Sequence, residues 1–482
     1  MSIRRNFVYS CILTVANYIF PLLTYPYVSR VLGVTNVGIC NFVDSIINFF
    51  ILFSMMGITT LGIREIAGTA ADKDKRGRVF SSLFILNAIA TLIMFVLLCI
   101  CIYLVPQFKE YKELMYVGAA KLLANLFLVE WFFKGTENFR YITNRTILVK
   151  CLYVISVFLF VREAEDYPIY FLLIALMTIV NASINFPYAC TKVKFSFKGI
   201  QLKPLVKPFI VMGCYALLTS MYTSFNVTYL GFVSTPEHVG YYTTATKLFH
   251  ITLAIYTAFT GVMMPRMSAL YAEGKIEAFK SLINKSIDLL FSFSVPLILF
   301  MLFFVPEIIW LLSGEGYEGA FLPARIIMPL ILIIGYEQIL VMQILMPARK
   351  DGAVLSNSIL GAVVGVAANL LIVDQCQSVG SSVVWLLSEI SVLLSAQYFV
   401  SKEINIGFPI KALLLNIVYY APSFFIIFLF RIIINSDFHM YVMMISLFVL
   451  LLNAIIVVRY TQTQILMKLL YMYNNRKGKK NF

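Results

Sequence analysis

Charged side chains inside long apolar runs are the residues of this sequence whose chemistry most needs an explanation. Lys247 lies about eight residues inside such a run, and His250 follows one turn later on the same helical face. A charge in a hydrocarbon environment costs a few kcal/mol or more, which makes each such residue a candidate for function. We interpret this face as an anion site lining a cavity. The alternative is that Lys247 snorkels to the outer interface.

Acidic residues lie at comparable depths in three other runs. Asp44 is placed at a depth similar to that of Lys247, so it could pair with Lys247, titrate during ion coupling, or form a purely structural ion pair. Glu337 and Glu389 lie near the middle of two later runs, where an unpaired carboxylate is costlier still. Either could bind a coupling cation, H⁺ or Na⁺, or pair with Ser or Tyr neighbours.

Four further basic residues are candidates for contact with an anionic substrate. Arg30 ends the first run and carries a planar donor fork suited to phosphate, although a lipid headgroup would serve equally. Lys121 lies about one-third of the way into the fourth run, a depth that favours a cavity over lipid. Arg64 and Arg266 lie at the inner ends of two runs and could gather the substrate, but membrane topology alone also predicts arginines there.

These residues have to be positioned by helices that cross a membrane. The chain has 482 residues, of which 60% are hydrophobic and 13% charged, and its mean hydropathy is +0.86. One soluble core cannot hide so much apolar surface, so lipid is the remaining solvent. Since a span needs roughly 20 mainly apolar residues, the sequence predicts an all-α membrane protein with about fourteen spans, at 8–30, 38–62, 81–105, 114–133, 143–161, 168–190, 209–233, 239–264, 287–312, 322–346, 353–374, 379–400, 409–434 and 440–460.

The positions of lysine and arginine predict the direction of these spans. Basic residues collect in alternate connections, whereas the remaining loops are acidic or mixed in charge. Because cytoplasmic loops retain positive charge during insertion, both termini are expected on the cytoplasmic side. The net charge of +14 is dispersed over many short loops without an aromatic-rich binding module, so we expect no nucleic-acid partner.

An internal repeat predicts how the helices are grouped. VGICNFVDSI (Val37 to Ile46) opens the second span and VGYYTTATKL (Val239 to Leu248) opens the eighth, and the same spacing places Arg64 on Arg266. Six helices in each half keep the two halves parallel in topology, with a cavity between them. The sequence therefore predicts an N-terminal lobe at 1–205 with helices 1–6, a C-terminal lobe at 206–404 with helices 7–12, and helices 13–14 with a basic cytoplasmic tail at 405–482.

Several classes of function are disfavoured by what the sequence lacks. Only three histidines are present, without metal-ligand spacing or a carboxylate-rich loop, so we expect no catalytic residues and no metal site. The absence of a Gly-x4-Gly-Lys-Ser/Thr loop disfavours direct ATP hydrolysis. Cysteines lie mostly in or beside apolar runs, which argues against a disulfide framework. We therefore expect a transport protein without a cofactor rather than a saccharide polymerase or an acyltransferase.

Several motifs together resemble those of the polysaccharide flippases, the O-antigen translocases of the Wzx or RfbX type. This family lies within the MOP superfamily, which also holds the MATE drug exporters. The motifs that carry the resemblance are NYIFPLLTYPYVSRVLG (Asn17 to Gly33), GIREIA (Gly62 to Ala67), EWFFKGTENFRYITNR (Glu130 to Arg145), VGYYTTATKL, MPRMS (Met264 to Ser268), SGEGYEGA (Ser313 to Ala320) and QILMPARKDG (Gln343 to Gly352). Their order on the predicted spans covers most of the chain.

The resemblance implies a two-lobed carrier with a cation-rich cavity for a diphosphate. Its expected substrate is undecaprenyl-diphosphate-linked oligosaccharide, the repeat unit of O-antigen, capsule or exopolysaccharide, moved from the cytoplasmic to the periplasmic leaflet of the bacterial inner membrane. The expected partners are this lipid-linked oligosaccharide and membrane lipids, with a polysaccharide polymerase and the chain-length machinery as further candidates and a monomer as the working unit. A MATE-type exporter of drugs or metabolites and a MurJ-type flippase for lipid II are the alternatives.

Overall fold

A computed structural model of the chain describes residues 3–69, 72–193, 195, 200–433 and 440–461. Helices account for nearly all of these residues, and no strand occurs among them. The helices are α1 Ile3–Met55, α2 Ile58–Ala67, α3 Lys73–Leu104, α4 Pro106–Glu110, α5 Lys112–Leu126, α6 Glu130–Gly135, α7 Phe139–Phe160, α8 Tyr167–Lys192, α9 Lys203–Thr223, α10 Phe225–Val233, α11 Pro236–Ala272, α12 Ile276–Ser313, α13 Phe321–Ile327, α14 Leu330–Gln338, α15 Asp351–Ala368, α16 Asp374–Ile404, α17 Ile410–Ile433 and α18 Met440–Thr461. Short 3₁₀ turns lie at Ala164–Asp166 and Glu318–Ala320, and π-helical turns at Ile339–Leu345 and Asn369–Val373.

The predicted spans all fall on these helices. Within the described residues, eleven helical stretches are long and apolar enough to cross a membrane. Two of them, of 56 and 54 residues, are each long enough for two crossings. The 37-residue α11 covers the predicted eighth span. The prediction of an all-α membrane protein with about fourteen spans is therefore confirmed, although the described part of span 13 ends at residue 433.

Local backbone chemistry explains where several helices bend or begin. Gly33, between the first two spans, has φ 71° and ψ 171°, and a Cβ there would meet nothing within 4 Å. Glycine is thus required by the backbone angles and not by lack of space. Asp72 caps α3, because its Oδ1 accepts from the amides of Asp74 and Lys75 at 2.9 Å. The hydrogen bond from the Lys75 amide is the largest cause that lowers the pKa of Asp72.

The chain divides into two compact units. The first unit comprises Met1–Lys247, Leu312–Pro323 and Gly361–Ser388. Its helices α5 and α8, α1 and α7, and α1 and α3 pack together along their lengths. A buried aromatic cluster joins α2, α3 and α6, where the ring of Trp131 lies 5.3 Å from that of Phe80. Gly62 fits against Trp131, since a Cβ there would come within 2.7 Å of the indole.

The second unit comprises Leu248–Leu311, Ala324–Leu360 and Glu389–Phe482. Its main core is apolar and includes the fully buried side chains of Phe291, Tyr336 and Leu340. The hydroxyl of Tyr336 donates to Gln397 at 2.7 Å, so this phenol is satisfied inside the core. The predicted boundaries at 205 and 404 rest on the internal repeat, and the division into lobes of six, six and two helices stays a prediction.

A bend in α12 of the second unit is supported by α17. Phe304 leaves the helical conformation, at φ −113° and ψ 20°, and Pro306 follows it. Arg431 of α17 donates to the carbonyl of Phe303 and lies 3.4 Å from Oε1 of the fully buried Glu307. A carbonyl released by a bend needs a partner in hydrocarbon, and this arginine provides one.

Candidate functional site

A cavity of about 210 Å³ lies within the first unit, among α1, α7, α8 and α11. We call it the lysine cavity, because two lysines line it together with aromatic and small polar side chains. Its lining residues are Phe20, Pro21, Thr24, Tyr25, Asn41, Lys150, Tyr153, Tyr170, Ile174, Met177 and Lys247.

Lys247 enters this cavity from α11. Its Nζ lies 3.9 Å from the ring centroid of Tyr25, a cation–π contact. The Tyr25 hydroxyl lies 2.6 Å from Thr244 Oγ1, which fixes the ring beneath the ammonium. The sequence predicted that Lys247 faces a cavity, and the structure places it in the lining of one. Its role as an anion site stays a prediction.

Lys150 is a second lysine of the cavity, and the sequence analysis missed it. It lies on α7 in the interior of the predicted fifth span, and its Nζ donates to Asn17 Oδ1 at 2.8 Å. The criterion that selected Lys247, a lysine well inside an apolar run, would have found it. Within the described residues, neither Lys150 nor Lys247 has a carboxylate within ion-pair distance. Both charges are therefore available to an anion.

Asp44 and Lys121 form an ion pair between α1 and α5. Lys121 Nζ lies 2.6 Å from Asp44 Oδ1, and the ammonium also donates to Asn48 Oδ1 at 3.1 Å. Asn48 Nδ2 in turn donates to Asp44 Oδ2 at 2.9 Å. The three side chains form a closed hydrogen-bonded ring in which the Asp44 charge is neutralised by Lys121. The sequence had suggested Lys247 as its ionic partner.

The two copies of the repeat meet in a close helix crossing within the first unit. A Cβ on Gly38 would lie 1.8 Å from the carbonyl oxygen of Pro236, and a Cβ on Gly240 would lie 2.4 Å from that of Val34. Pro236 and Gly240 are the repeat equivalents of Val34 and Gly38. The two contacts are therefore related by exchange of the copies, as expected about a pseudo-two-fold axis. We call these four residues the glycine crossing.

Hydrogen bonds flank this crossing with the same spacing. Thr35 Oγ1 donates to Glu237 Oε1 at 3.2 Å, and Asn41 Nδ2 donates to Thr243 Oγ1 at 3.0 Å. Each bond joins a residue to its own equivalent 202 positions later. Since Asn41 also lines the lysine cavity, the cavity lies directly beside the crossing.

Glu337 of α14 and Glu389 of α16 form a carboxyl pair in the second unit. Their side chains interact with each other, and Glu389 is 3% exposed. Two carboxylate charges side by side in a buried site repel each other, so a bound proton or cation would stabilise the pair. The sequence placed both residues in mid-span but did not predict that they meet.

The remaining predicted residues lie apart from the lysine cavity lining. Arg30 donates to the carbonyl of Pro26 at 2.7 Å, and its side chain packs against Gly314. Arg64 pairs with its neighbour Glu65 at 3.0 Å on the surface. Arg266 and His250 are exposed on the part of α11 that belongs to the second unit. No group of histidine, cysteine or acidic residues able to hold a metal ion occurs in the described ranges.

The all-helical membrane architecture and its lysine-lined cavity define the class of protein, a multi-pass membrane transporter. Residues 3–271 match the family described as polysaccharide biosynthesis protein. This match spans more than half of the chain, so the chain belongs to that family. The predicted resemblance is thereby confirmed.

Two curated relatives are similar over most of their length. The "Putative O-antigen transporter" of Escherichia coli (strain K12) is 25% identical over 358 residues, covering 72% of this chain and 84% of that protein. The protein of the same name from Shigella dysenteriae is 24% identical over 383 residues, covering 75% and 90%. Both carry the name of a transporter, in agreement with the prediction that the chain is not an enzyme.

Solved structures confirm the predicted fold. The lipid II flippase MurJ in an inward closed conformation has a TM-score of 0.78 at 13% identity, covering 94% of this chain and 99% of MurJ. An outward-facing multidrug resistance MATE transporter of the MOP superfamily has a TM-score of 0.57 at 14% identity, covering 83% and 94%. At these identities the likeness concerns the fold alone, which is of the MurJ and MATE type.

Proposed function

We propose that this protein is a flippase for a lipid-linked saccharide. In this proposal it moves undecaprenyl-diphosphate-linked oligosaccharide from the cytoplasmic to the periplasmic leaflet of the inner membrane by alternating access. Both termini lie in the cytoplasm, and the monomer is the working unit. A polysaccharide polymerase and the chain-length machinery act on the delivered product.

The pair of lysines in one cavity within the predicted spans is the observation that carries the proposal. Lys150 and Lys247 contribute two positive charges, and hydrogen-bonding or aromatic contacts, not carboxylates, hold them. Asp44 is the acidic residue of the neighbouring α1 segment, and Lys121 already neutralises it. Charges inside a membrane protein are stable when paired, so a cavity of this composition favours an anionic ligand. A diphosphate carries the complementary charge.

The same composition separates this proposal from its rivals. A carrier of cationic drugs is better served by acidic lining residues, whereas the lysine cavity has none. A flippase for lipid II would also carry a polyprenyl diphosphate, so the cavity charge does not distinguish the two cargoes. Family membership and the two relatives named as O-antigen transporters favour the polysaccharide unit over lipid II.

We further propose that protons drive the cycle through the Glu337–Glu389 pair. A shared proton keeps this buried pair at a single negative charge, and loss of that proton would place two charges side by side. Because that doubly charged state is costly, a conformational change that exposes the pair to one side of the membrane would be coupled to binding or release of the proton. Sodium is the alternative coupling ion.

Leaflet exchange in liposomes tests the cargo. The purified protein is reconstituted with a fluorescent polyprenyl-diphosphate saccharide, and label that reaches the opposite leaflet is quenched with an impermeant reductant. Because a hydrogen bond to a charged group contributes about 1.5–3 kcal/mol, Lys150→Met and Lys247→Met are each expected to slow exchange about tenfold or more. Lys411→Met, an exposed lysine at the start of α17, is the matched control.

Two results would contradict the cargo proposal. Exchange at the wild-type rate in the Lys150→Met, Lys247→Met double variant would exclude the lysine cavity as the diphosphate site. Absence of exchange by well-folded wild-type protein under every imposed ion gradient would exclude flipping itself.

For ion coupling, exchange by the wild type should respond to an imposed pH difference, and Glu389→Gln should abolish that response while Glu113→Gln retains it. A response to sodium alone would exclude the proton.

A further inference from the structure

A second cavity, of about 290 Å³, lies in the first unit beside the glycine crossing. We call it the loop cavity, because its walls come mainly from the connection between α3 and α5 and from the connection between α10 and α11. Gln107, Glu110 and Tyr111 belong to the first connection, and Ser234 and Thr235 belong to the second. Both connections are predicted to face the outer side of the membrane.

Aromatic rings form one wall of the loop cavity. The ring of Phe42 meets Phe232 edge to face at 5.5 Å and Tyr111 at 6.3 Å. Gly231 allows the backbone to approach this wall, since a Cβ there would come within 1.9 Å of Phe42 Cδ2. Phe232 is 37% exposed, so part of its ring remains open.

Polar groups with hydrogen-bonding capacity also line the loop cavity. Ser234 Oγ is buried and has no hydrogen-bond partner within the described part of the chain. A buried hydroxyl without a partner is costly unless a ligand or water completes it. Burial raises the pKa of the Tyr111 phenol, and the neighbouring Glu110 carboxylate raises it further. The phenol therefore remains a neutral donor beside a carboxylate acceptor.

Charge around the loop cavity argues for a neutral ligand. Lys109 and Lys112 flank Glu110 on the same connection, and all three side chains are exposed. Glu237 follows the lining residue Pro236 on the other connection and acts electrostatically on Tyr111. Lys109 and Lys112 therefore offset the charges of Glu110 and Glu237 near the rim. An open aromatic surface beside hydroxyl, amide and carboxylate groups matches a sugar, whose C–H face is apolar and whose edge is dense in hydroxyls.

We propose that the loop cavity binds one sugar ring of the saccharide at the predicted outer face. Its volume is near the lower end of the roughly 300–1,000 Å³ that is typical of small-molecule sites, which suits a single ring better than a whole repeat unit. The identity of this ligand rests on the proposed function. The site would hold the head of the cargo once the diphosphate has left the lysine cavity.

Saturation-transfer NMR on the full-length protein in nanodiscs tests this site without requiring transport. The probes are the free methyl glycosides of glucose, galactose, rhamnose and N-acetylglucosamine. At least one is expected to receive saturation through its ring protons. Phe232→Ala should weaken that binding about tenfold, and Ser234→Met should abolish it by filling the cavity. Glu113→Gln, an exposed carboxylate outside the lining, should bind as the wild type does.

Glycoside binding tests the sugar site independently of the lipid-exchange assay that tests the proposed function. Saturation of no glycoside by folded wild-type protein, or equal binding by wild type and Ser234→Met, would overturn the sugar site even if lipid exchange succeeds. Size-exclusion profiles establish that both variants are folded. Binding of a glycoside that is lost in Ser234→Met would support the site even if lipid exchange fails, and that failure would then count only against flipping.

Discussion

The second and eighth predicted spans open with the same residues and then diverge. Val37-Gly38 and Val239-Gly240 occupy equivalent positions, and each glycine lets its helix approach a carbonyl of the other copy. About two turns further along, the second span carries Asp44 and the eighth carries Lys247. Asp44 is neutralised within its own half of the chain by Lys121, whereas Lys247 rests on an aromatic ring. The shared residues make the backbone contact, and the divergent residues determine the local charge.

The largest effect is expected from substitutions in the glycine crossing. Gly38→Val and Gly240→Val should each separate the two helices, because even a Cβ would overlap a carbonyl oxygen. A disulfide introduced by Asn41→Cys and Thr243→Cys should form in the otherwise wild-type protein and is detected by peptide mass spectrometry. The yield of the cross-linked peptide should fall more than about tenfold when either valine is added.

The two glycine contacts are not equivalent if substitution of only one of these glycines lowers the cross-linking yield. Gly352→Ala is the control, since a Cβ at this position meets nothing within 4 Å. It should leave cross-linking unchanged. Full cross-linking in Gly240→Val beside loss in Gly38→Val would show that the two contacts are not equivalent.

The second largest effect concerns the neutralised charge. Lys121→Met leaves Asp44 without its cation and should lower the free energy of unfolding by about 2 kcal/mol, less than the 3–5 kcal/mol of a fully buried pair because Asp44 is partly exposed. Unfolding by SDS in mixed micelles measures the change. The Asp44→Asn, Lys121→Met double variant should recover most of the loss, and a double variant as unstable as the single one would refute the ion pair.

Lys247 should behave in the opposite way. Lys247→Met removes a cation–π contact of about 1–2 kcal/mol but leaves no carboxylate without its cation, so the same SDS titration should shift less than it does for Lys121→Met. Leaflet exchange should nevertheless fall. If Lys247→Met destabilises the protein as strongly as Lys121→Met, the proposed difference between a structural Lys121 and a substrate-binding Lys247 is refuted.

The smallest effect is expected at Glu237, which lies outside the predicted spans and accepts from Thr35. The hydrogen bond from Thr235 is the largest cause that lowers the pKa of Glu237. The resulting stability is present above the ordinary glutamate pKa of about 4.3 and is lost as the pH falls through the lowered value. Glu237→Gln should therefore cost under about 0.5 kcal/mol at pH 7, and this cost should shrink as the pH is lowered. A cost that stays constant throughout the acid range would exclude the ionised carboxylate as its cause.

Much of this architecture can be predicted from the sequence, because spans are recognised from local hydropathy and the repeat from a fixed spacing of similar residues. Hydropathy located the helices, and the spacing of the repeat is the same 202 residues that separates Asn41 from Thr243 in their hydrogen bond. The i,i+4 spacing of Glu130 and Lys134 on α6 also predicts an ion pair from sequence alone, and the two side chains lie 3.3 Å apart.

Contacts between helices were harder to predict. Nothing in the spacing of α1 indicates that α5 supplies the partner of Asp44, since that choice depends on which helices pack together. For the same reason Glu337 and Glu389 each had several candidate partners in the sequence and were not assigned to each other. Lys150 is a different case, because its signal was present and the same depth criterion would have identified it.

Arg431 gives α17 a role beyond filling space in the bilayer. Its guanidinium, on α17, holds the carbonyl of Phe303 and the carboxylate of Glu307, both on α12. A chain truncated before α17 would leave a bare carbonyl and an uncompensated acid facing hydrocarbon. The thirteenth predicted span, which lies on α17, is therefore not a detachable appendage, and a shortened carrier without it would need a replacement for this one side chain.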